Sequence, residues 1–351
     1  MKRIPFDSLS GGERAEAIGE FGLIARLTHG LESRPDVVLG VGDDAALLDV
    51  GSDMLLVATC DTQVEGRHFL ANIATPQEIG HKTLAVNASD IAAMGAEPLW
   101  ALISLLLPAD ISLDKLDGIY DGLRSLGERL GVAIVGGNVS GTNGPLTLDM
   151  TLLGRVARDH ACRRSGGQPG DLLIVTGALG AAAAGLLAYT TERDAMPHES
   201  ISQEVLERAR IALVAPMPRV AEGRALAATG VVSAMLDVSD GLTADLSHIC
   251  AASGVGAVID AEALPIDMAA STIAAAYGRD PLDLALSGGE EYELLFSVPS
   301  TGLDIALVAV RSVGGSASVI GALTEARDGM QVRLRNGSLR PITPRGWDHL
   351  R

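Results

Sequence analysis

Only three lysines, Lys2, Lys82 and Lys115, occur in the 351 residues. None completes a GxxxxGK[ST] loop, so a Walker-type phosphate site is excluded. Cysteine is equally scarce. Cys60, Cys162 and Cys250 lie far apart with no CxxC pair, which argues against a disulfide framework or a zinc site and suits a reducing, cytoplasmic setting. Basic clusters are missing too: 27 Lys+Arg stand against 44 Asp+Glu, a formal net charge of −17. That balance opposes nucleic acid and anionic membranes as partners, because each phosphate contact wants a cation. The start, MKRIPFDSLSGGERAEA, has no apolar stretch behind its early positive charges and does not read as a secretory signal, so the mature protein is expected to begin near Met1. The uncharged run Leu172–Thr191 approaches the roughly 20 residues that span a bilayer. It reads instead as a short buried strand ending at Gly177 followed by an Ala-rich helix packed on a sheet. Other familiar signatures are absent as well. In GVGDDA, Ala45 occupies the place of the third glycine of GxGxxG, and there is no HRD–DFG pair and no GxSxG elbow.

What is present is an alternation of apolar runs and helical stretches, the pattern of an α/β or α+β fold. Strands are expected at 37–41, 54–60, 100–107, 132–136, 146–156, 172–176, 232–237, 257–259 and 293–298. Helices are expected at 13–27, 75–94, 113–130, 181–189, 202–213, 220–227 and 243–252. The polar, Gly-containing stretch RDHACRRSGGQPG at 158–170 separates two halves with their own apolar runs. It sets expected domains at 1–157 and 158–351.

The chemical signal is a set of aspartates at strand ends and turns: Gly42-Asp43-Asp44, Thr59-Cys60-Asp61, Asn87-Ala88-Ser89-Asp90 and Asp237-Val238-Ser239-Asp240-Gly241. Asp and Gly are common in turns for conformational reasons alone. Four such segments with few lysines nearby are a different matter. Brought together they form a self-repelling cluster, costly unless cations occupy it. Oxygen-only ligands suit Mg²⁺, which completes its shell with water and substrate phosphates. If phosphates bind here, metals mediate it.

These segments resemble the thiamine-monophosphate kinase family, part of a superfamily that includes aminoimidazole ribonucleotide synthetase. The resemblance runs in order through GDDAALL at Gly42, CDTQVEGRHF at Cys60, KTLAVNASDIAAMGAEP at Lys82, GGNVSG at Gly136, RRSGGQPGDLLIVTG at Arg163, MLDVSDGLTADLSHI at Met235, SGGEEYELLF at Ser287 and GWDHL at Gly346. It implies a two-domain PurM-like α/β (α+β) fold, with the N-terminal sheet pairing across a homodimer and a C-terminal α/β domain beside it. It also implies ATP and Mg²⁺ between the domains, and transfer of the γ-phosphoryl group onto thiamine monophosphate to give thiamine diphosphate.

Carried over by position, the resemblance implies metal ligands at Asp43, Thr59, Cys60, Asp61, Asp90, Asn138, Asp237 and Asp240, with Asp44 a weaker candidate. It implies a nucleotide-contacting turn at Gly137 and Asn138, with further nucleotide contacts from Arg164 and Ser239. His68, Glu290 and Trp347 would hold thiamine monophosphate. No role is assigned to Lys82. Asn138 stands where many members have Asp, and Glu291 replaces the Asp of GGEDYEL, a one-methylene extension expected to shift a turn and leave the charge alone. The alternatives are a same-fold ATP-dependent enzyme with another substrate and a non-catalytic nucleotide-binding paralogue.

Overall fold

The computed structural model describes residues 19–30, 34–191, 201–344 and 346. Helix α1 (Gly19–Leu27) precedes a first sheet built from β1 (Val37–Leu39), β2 (Ala46–Asp49), β3 (Met54–Val64), β4 (Glu97–Pro108), β5 (Ala133–Thr142) and β6 (Thr147–Ala157). The strand order is β1-β2-β3-β6-β4-β5, antiparallel except for the β4–β5 pair. Helices α2 (Pro76–Ala93) and α3 (Leu113–Leu130) cover one face of it.

Helix α2 starts on a capping box. Thr75 Oγ1 accepts from the Glu78 N–H, the Glu78 carboxylate accepts from the Thr75 N–H, and Pro76 follows at the first helical position. It approaches α3 through glycine: a Cβ on Gly80 would lie 1.9 Å from the Ile119 carbonyl oxygen, and one on Gly122 only 1.8 Å from that of Gln77.

The second sheet has the order β13-β12-β9-β11-β7-β10-β8. Its strands are β7 (Leu172–Thr176), β8 (Ala234–Val238), β9 (Val255–Asp260), β10 (Glu293–Val298), β11 (Ala317–Glu325), β12 (Met330–Arg333) and β13 (Leu339–Pro341). Around it run α4 (Ala181–Thr190), α5 (Gln203–Val214), α6 (Val220–Thr229), α7 (Leu242–Ser253), α8 (Met268–Ala276), α9 (Pro281–Ser287) and α10 (Leu303–Ser312). Every residue of β8 and β10 is buried, Asp237, Glu293 and Ser297 included, so both faces of these strands are covered. Alternate residues feed separate cores. Ile174, Met235, Leu294 and Phe296 join the cluster that includes α2 and the first sheet, whereas Leu173, Val175, Leu236 and Leu295 join one completed by α7. Helix α2 contacts β3 and β6 on one side and β8, β10 and α6 on the other, so the two units share a core across it.

The run 172–191 resolves into β7 and α4, and no helix among the described residues is long and apolar enough to cross a membrane. One expectation needs correction: Gly136–Asn138 lies within β5 and is not a turn. A register shift in the β4–β5 pairing absorbs Val135, and the chain then continues as strand to Thr142.

Candidate active site

A cavity of about 1500 Å³ opens between the two units and is lined by Asp43, Asp44, Asp61, Asp90, Asp237 and Asp240 among others. Each arrives on a different device. Asp43 and Asp44 follow β1, Asp61 sits on β3, Asp90 opens the last turn of α2, Asp237 lies in β8, and Asp240 lies in the turn between β8 and α7. One carboxylate oxygen from each of Asp44, Asp90 and Asp237 lies within 4.8 Å of the others.

The electrostatics are severe. Burial pushes Asp237 up to about 7, and the neighbouring Asp44 carboxylate adds to the shift. Asp43 is pushed up to about 6, again by burial and then by Asp44. Asp90 is held well above the ordinary carboxylate range by burial, with Asp61 and Asp237 contributing. Polar neighbours partly offset this. Thr59 Oγ1 donates to Asp90, Ser89 Oγ donates to Asp237 Oδ2 at 2.6 Å, and the Arg164 N–H donates to the Asp43 carboxylate at 3.2 Å. The Arg164 guanidinium donates to Asp44 Oδ1 through Nε (3.1 Å) and Nη2 (2.6 Å). Asp44 Oδ2, fully buried, has no hydrogen-bond partner among the described residues. A group of hard oxygen donors, mutually repelling and with one buried acceptor unused, fits a divalent cation such as Mg²⁺.

The turn bearing Asp240 is shaped by Asp245, whose Oδ2 accepts the N–H groups of Asp240 (3.1 Å) and Gly241 (3.0 Å) from the first turn of α7. Ser89 and Asp245 were not singled out from the sequence. A serine inside a helix and an acid in a helix's first turn are ordinary there, and only the fold aims them at the site. Asp44, a weaker candidate on sequence grounds, is at the centre of the cluster.

Elsewhere the placement is mixed. Strand alternation puts Thr59 and Asp61 on the face of β3 toward α2 and turns Cys60 the other way, where its thiol lies 3.5 Å from Asp149 Oδ1. Any contribution of Cys60 to the cluster is therefore through its backbone. In the β4–β5–β6 registers Asn138 lies opposite Ser104 and Ser104 opposite Asp149. Asn138 thus shares the outer face with Cys60 and not the acidic one. Gly137 is exposed and lies so close to β4 that a Cβ would meet the Ile103 carbonyl oxygen at 1.8 Å. Neither residue lines the cavity, whereas Arg164, Ser239, His68 and Glu290 do.

His68 Nδ1 accepts from the Val64 N–H at 3.0 Å, which places the ring proton of the neutral imidazole on Nε2. Glu290 occupies the left-handed backbone region (φ 69°) and donates its N–H to the Ser239 carbonyl at 2.6 Å. Glu291 does more than shift a turn: its buried carboxyl reaches the Gly180 N–H ahead of α4 at 2.8 Å and is raised by burial to about 8. Trp347 lies outside the described residues.

Comparison with known proteins agrees with this layout. The family profile described as AIR synthase related protein, N-terminal domain, matches residues 42–156, and its C-terminal counterpart matches residues 168–333. A thiamine-monophosphate kinase of Salmonella typhimurium LT2 is 38% identical over 334 residues, covering 95% of this chain and 98% of that protein. The crystal structure of the thiamine-monophosphate kinase from Stenotrophomonas maltophilia K279a is 39% identical with a TM-score of 0.73, covering 92% and 98% of the two chains. A structure described as AaThiL complexed with AMPPCP and TMP is 31% identical with a TM-score of 0.81, covering 97% and 100%. Matched from end to end in sequence and in fold, the chain belongs to the thiamine-monophosphate kinase family.

Proposed function

We propose that the protein transfers the γ-phosphoryl group of ATP directly onto the phosphate of thiamine monophosphate, yielding thiamine diphosphate and ADP. The observation that carries this reading is the gathering of six aspartates on one inter-unit cavity, in a chain alike throughout to a protein described in complex with AMPPCP and TMP. Donor and acceptor are both anionic, and two unit charges about 4 Å apart repel by about 4 kcal/mol at an effective dielectric near 20. Cations held by Asp44, Asp90 and Asp237, with Asp43, Asp61, Asp240 and the Thr59 hydroxyl around them, would supply the charge neutralisation that such a transfer needs.

The remaining work is positional. Arg164 borders the cavity with its guanidinium already oriented by Asp44, and a fork fixed in this way suits phosphate oxygens. Ser239 offers a further contact on the nucleotide side. Gly137 and Asn138 enter as nucleotide contacts on the strength of the family resemblance alone, and so does Trp347 as a face for the cationic thiazolium. His68 and Glu290 would hold the thiamine moiety, His68 as an N–H donor and Glu290 as an acceptor or counter-charge. No side chain needs to become covalently modified.

A homodimer in a cytoplasmic setting completes the reading. The exposed Trp100, Leu102 and Leu106 on the outer face of β4, next to the edge strand β5, form an apolar surface suited to a second copy. The test is chromatographic: ATP, thiamine monophosphate and excess Mg²⁺ should yield thiamine diphosphate and ADP in equal amounts. ADP without thiamine diphosphate, or no turnover at all, would overturn the proposal.

A further inference from the structure

Lys82 is the residue of the helical motif for which the sequence offers no use. In the structure it is a buried cation lining the same cavity as the acids, with only 4% of its side chain exposed. Its position on α2 directs Nζ to two partners from different units. It donates to the His68 carbonyl oxygen at 2.9 Å, and it forms an ion pair with Glu290 Oε2. His68 belongs to the turn after β3, closed by the bond between its ring and Val64, whereas Glu290 belongs to the turn before β10. That second turn is strained: Glu290 and Tyr292 both have positive φ (69° and 52°), and their N–H groups are fixed on the Ser239 and Val238 carbonyls.

A lysine is seldom buried without a fixed partner, because removing the ammonium from water costs several kcal/mol. Here the partners are a backbone carbonyl from one unit and a carboxylate from the other. Glu290 keeps 30% of its side chain exposed while Oε2 is wholly buried. Lys82 therefore takes the inner oxygen and leaves the outer part of the carboxylate turned to the cavity.

We infer that Lys82 is a positioning residue that assembles the acceptor side of the pocket, locking the His68 turn and the Glu290 carboxylate into one frame across the two units. The inference rests on the reading that His68 and Glu290 face thiamine monophosphate, and it adds the group that sets their separation. Among the described residues Lys82 pairs with Glu290 and the His68 carbonyl and with neither the aspartates nor Arg164, so its direct influence falls on the thiamine monophosphate side.

The experiment uses the full-length protein with excess Mg²⁺, varying ATP and thiamine monophosphate independently for the parent, Lys82→Met, Glu290→Gln and the double variant. Lys82→Met is expected to raise KM for thiamine monophosphate about tenfold or more, the equivalent of about 1.4 kcal/mol, with KM for ATP unchanged. In the double variant the two KM effects should not multiply, because both changes break the same contact. Melting temperature should recover there, since no charge is left buried alone. Amide hydrogen exchange at Glu290 and Tyr292 should quicken in Lys82→Met, a readout that needs no turnover. Parallel rises in both KM values, a loss of melting temperature with KM intact, or multiplying effects in the double variant would each overturn the inference. If the parent itself makes no thiamine diphosphate, the proposed activity fails. The exchange measurement then decides alone, and unchanged protection at Glu290 and Tyr292 overturns the role of Lys82.

Discussion

Two charged groups on the cavity solve opposite electrostatic problems. Asp43, Asp44, Asp61, Asp90, Asp237 and Asp240 share it with Arg164, whose guanidinium pairs with Asp44, and burial lifts several of them far from their ordinary ionisation. Lys82 and Glu290 instead are matched one to one, and a backbone carbonyl satisfies the ammonium. The first group is built short of positive charge and gains it only with cations. The second is complete in the chain itself. A protein that holds two anions together needs the former, whereas the latter fixes a carboxylate in place with no added ion.

The sharpest way to break this contrast is Asp90→Asn. It should lower kcat by about 100-fold or more, the scale seen when one preorganised charge-stabilising group is removed. The same change should raise the melting temperature of the metal-free protein, because a buried repelling carboxylate is gone. A fall in melting temperature matching the loss of rate would make Asp90 structural.

Next in size is Gly122→Ala. Its Cβ would sit 1.8 Å from the Gln77 carbonyl oxygen, so α3 must move off the helix that carries both Asp90 and Lys82. A cost of about 1–3 kcal/mol is expected, measured by urea unfolding.

The acidic group also predicts a pH dependence. Asp43 and Asp237, ordinarily near 3.8, titrate at about 6 and about 7 in the fold. Between those values the native state binds more protons than the unfolded chain. Metal-free stability is then full below about pH 4 for these groups and is lost as pH rises through about 7. Differential scanning calorimetry without divalent ions should show melting temperature falling by several degrees from pH 6 to pH 8. Saturating Mg²⁺ should flatten that slope, since binding to the native state alone stabilises it. The smallest effect is expected from Cys60→Ala. Its side chain faces away from the cluster, so kcat and both KM values should match the parent.

Much of this was legible beforehand. Strands at 172–176 and 293–298 and the helix at 113–130 fall where the apolar patterns put them, because each is bounded by a turn residue or a cap such as Ser112 and Gly131. The nine-residue β11 and the ten-residue α10 lie outside the expected elements despite their length, whereas other missed elements carry weak local signals. β2, β12 and β13 have only four, four and three residues, and α8 (MAASTIAAA) is too uniformly apolar to show a helical face. The aspartate turns were visible as a set, since their chemistry is unusual whatever their geometry. Which of them face one another was not visible. Asp44 and Asp43 differ by a single position, and only the fold shows that Asp44 is the central one. The outward direction of the Asn138 and Cys60 side chains follows from strand alternation, a period-two effect that the motif string does not display.

Helix α2 carries a last implication. Buried on most of its surface, it is the inner wall of both halves at once. Expressing residues 158–351 alone would strip β8 and β10 of their cover, and expressing 1–157 alone would leave half of that helix in water. The halves are inseparable as folding units, and heat should melt them in one transition.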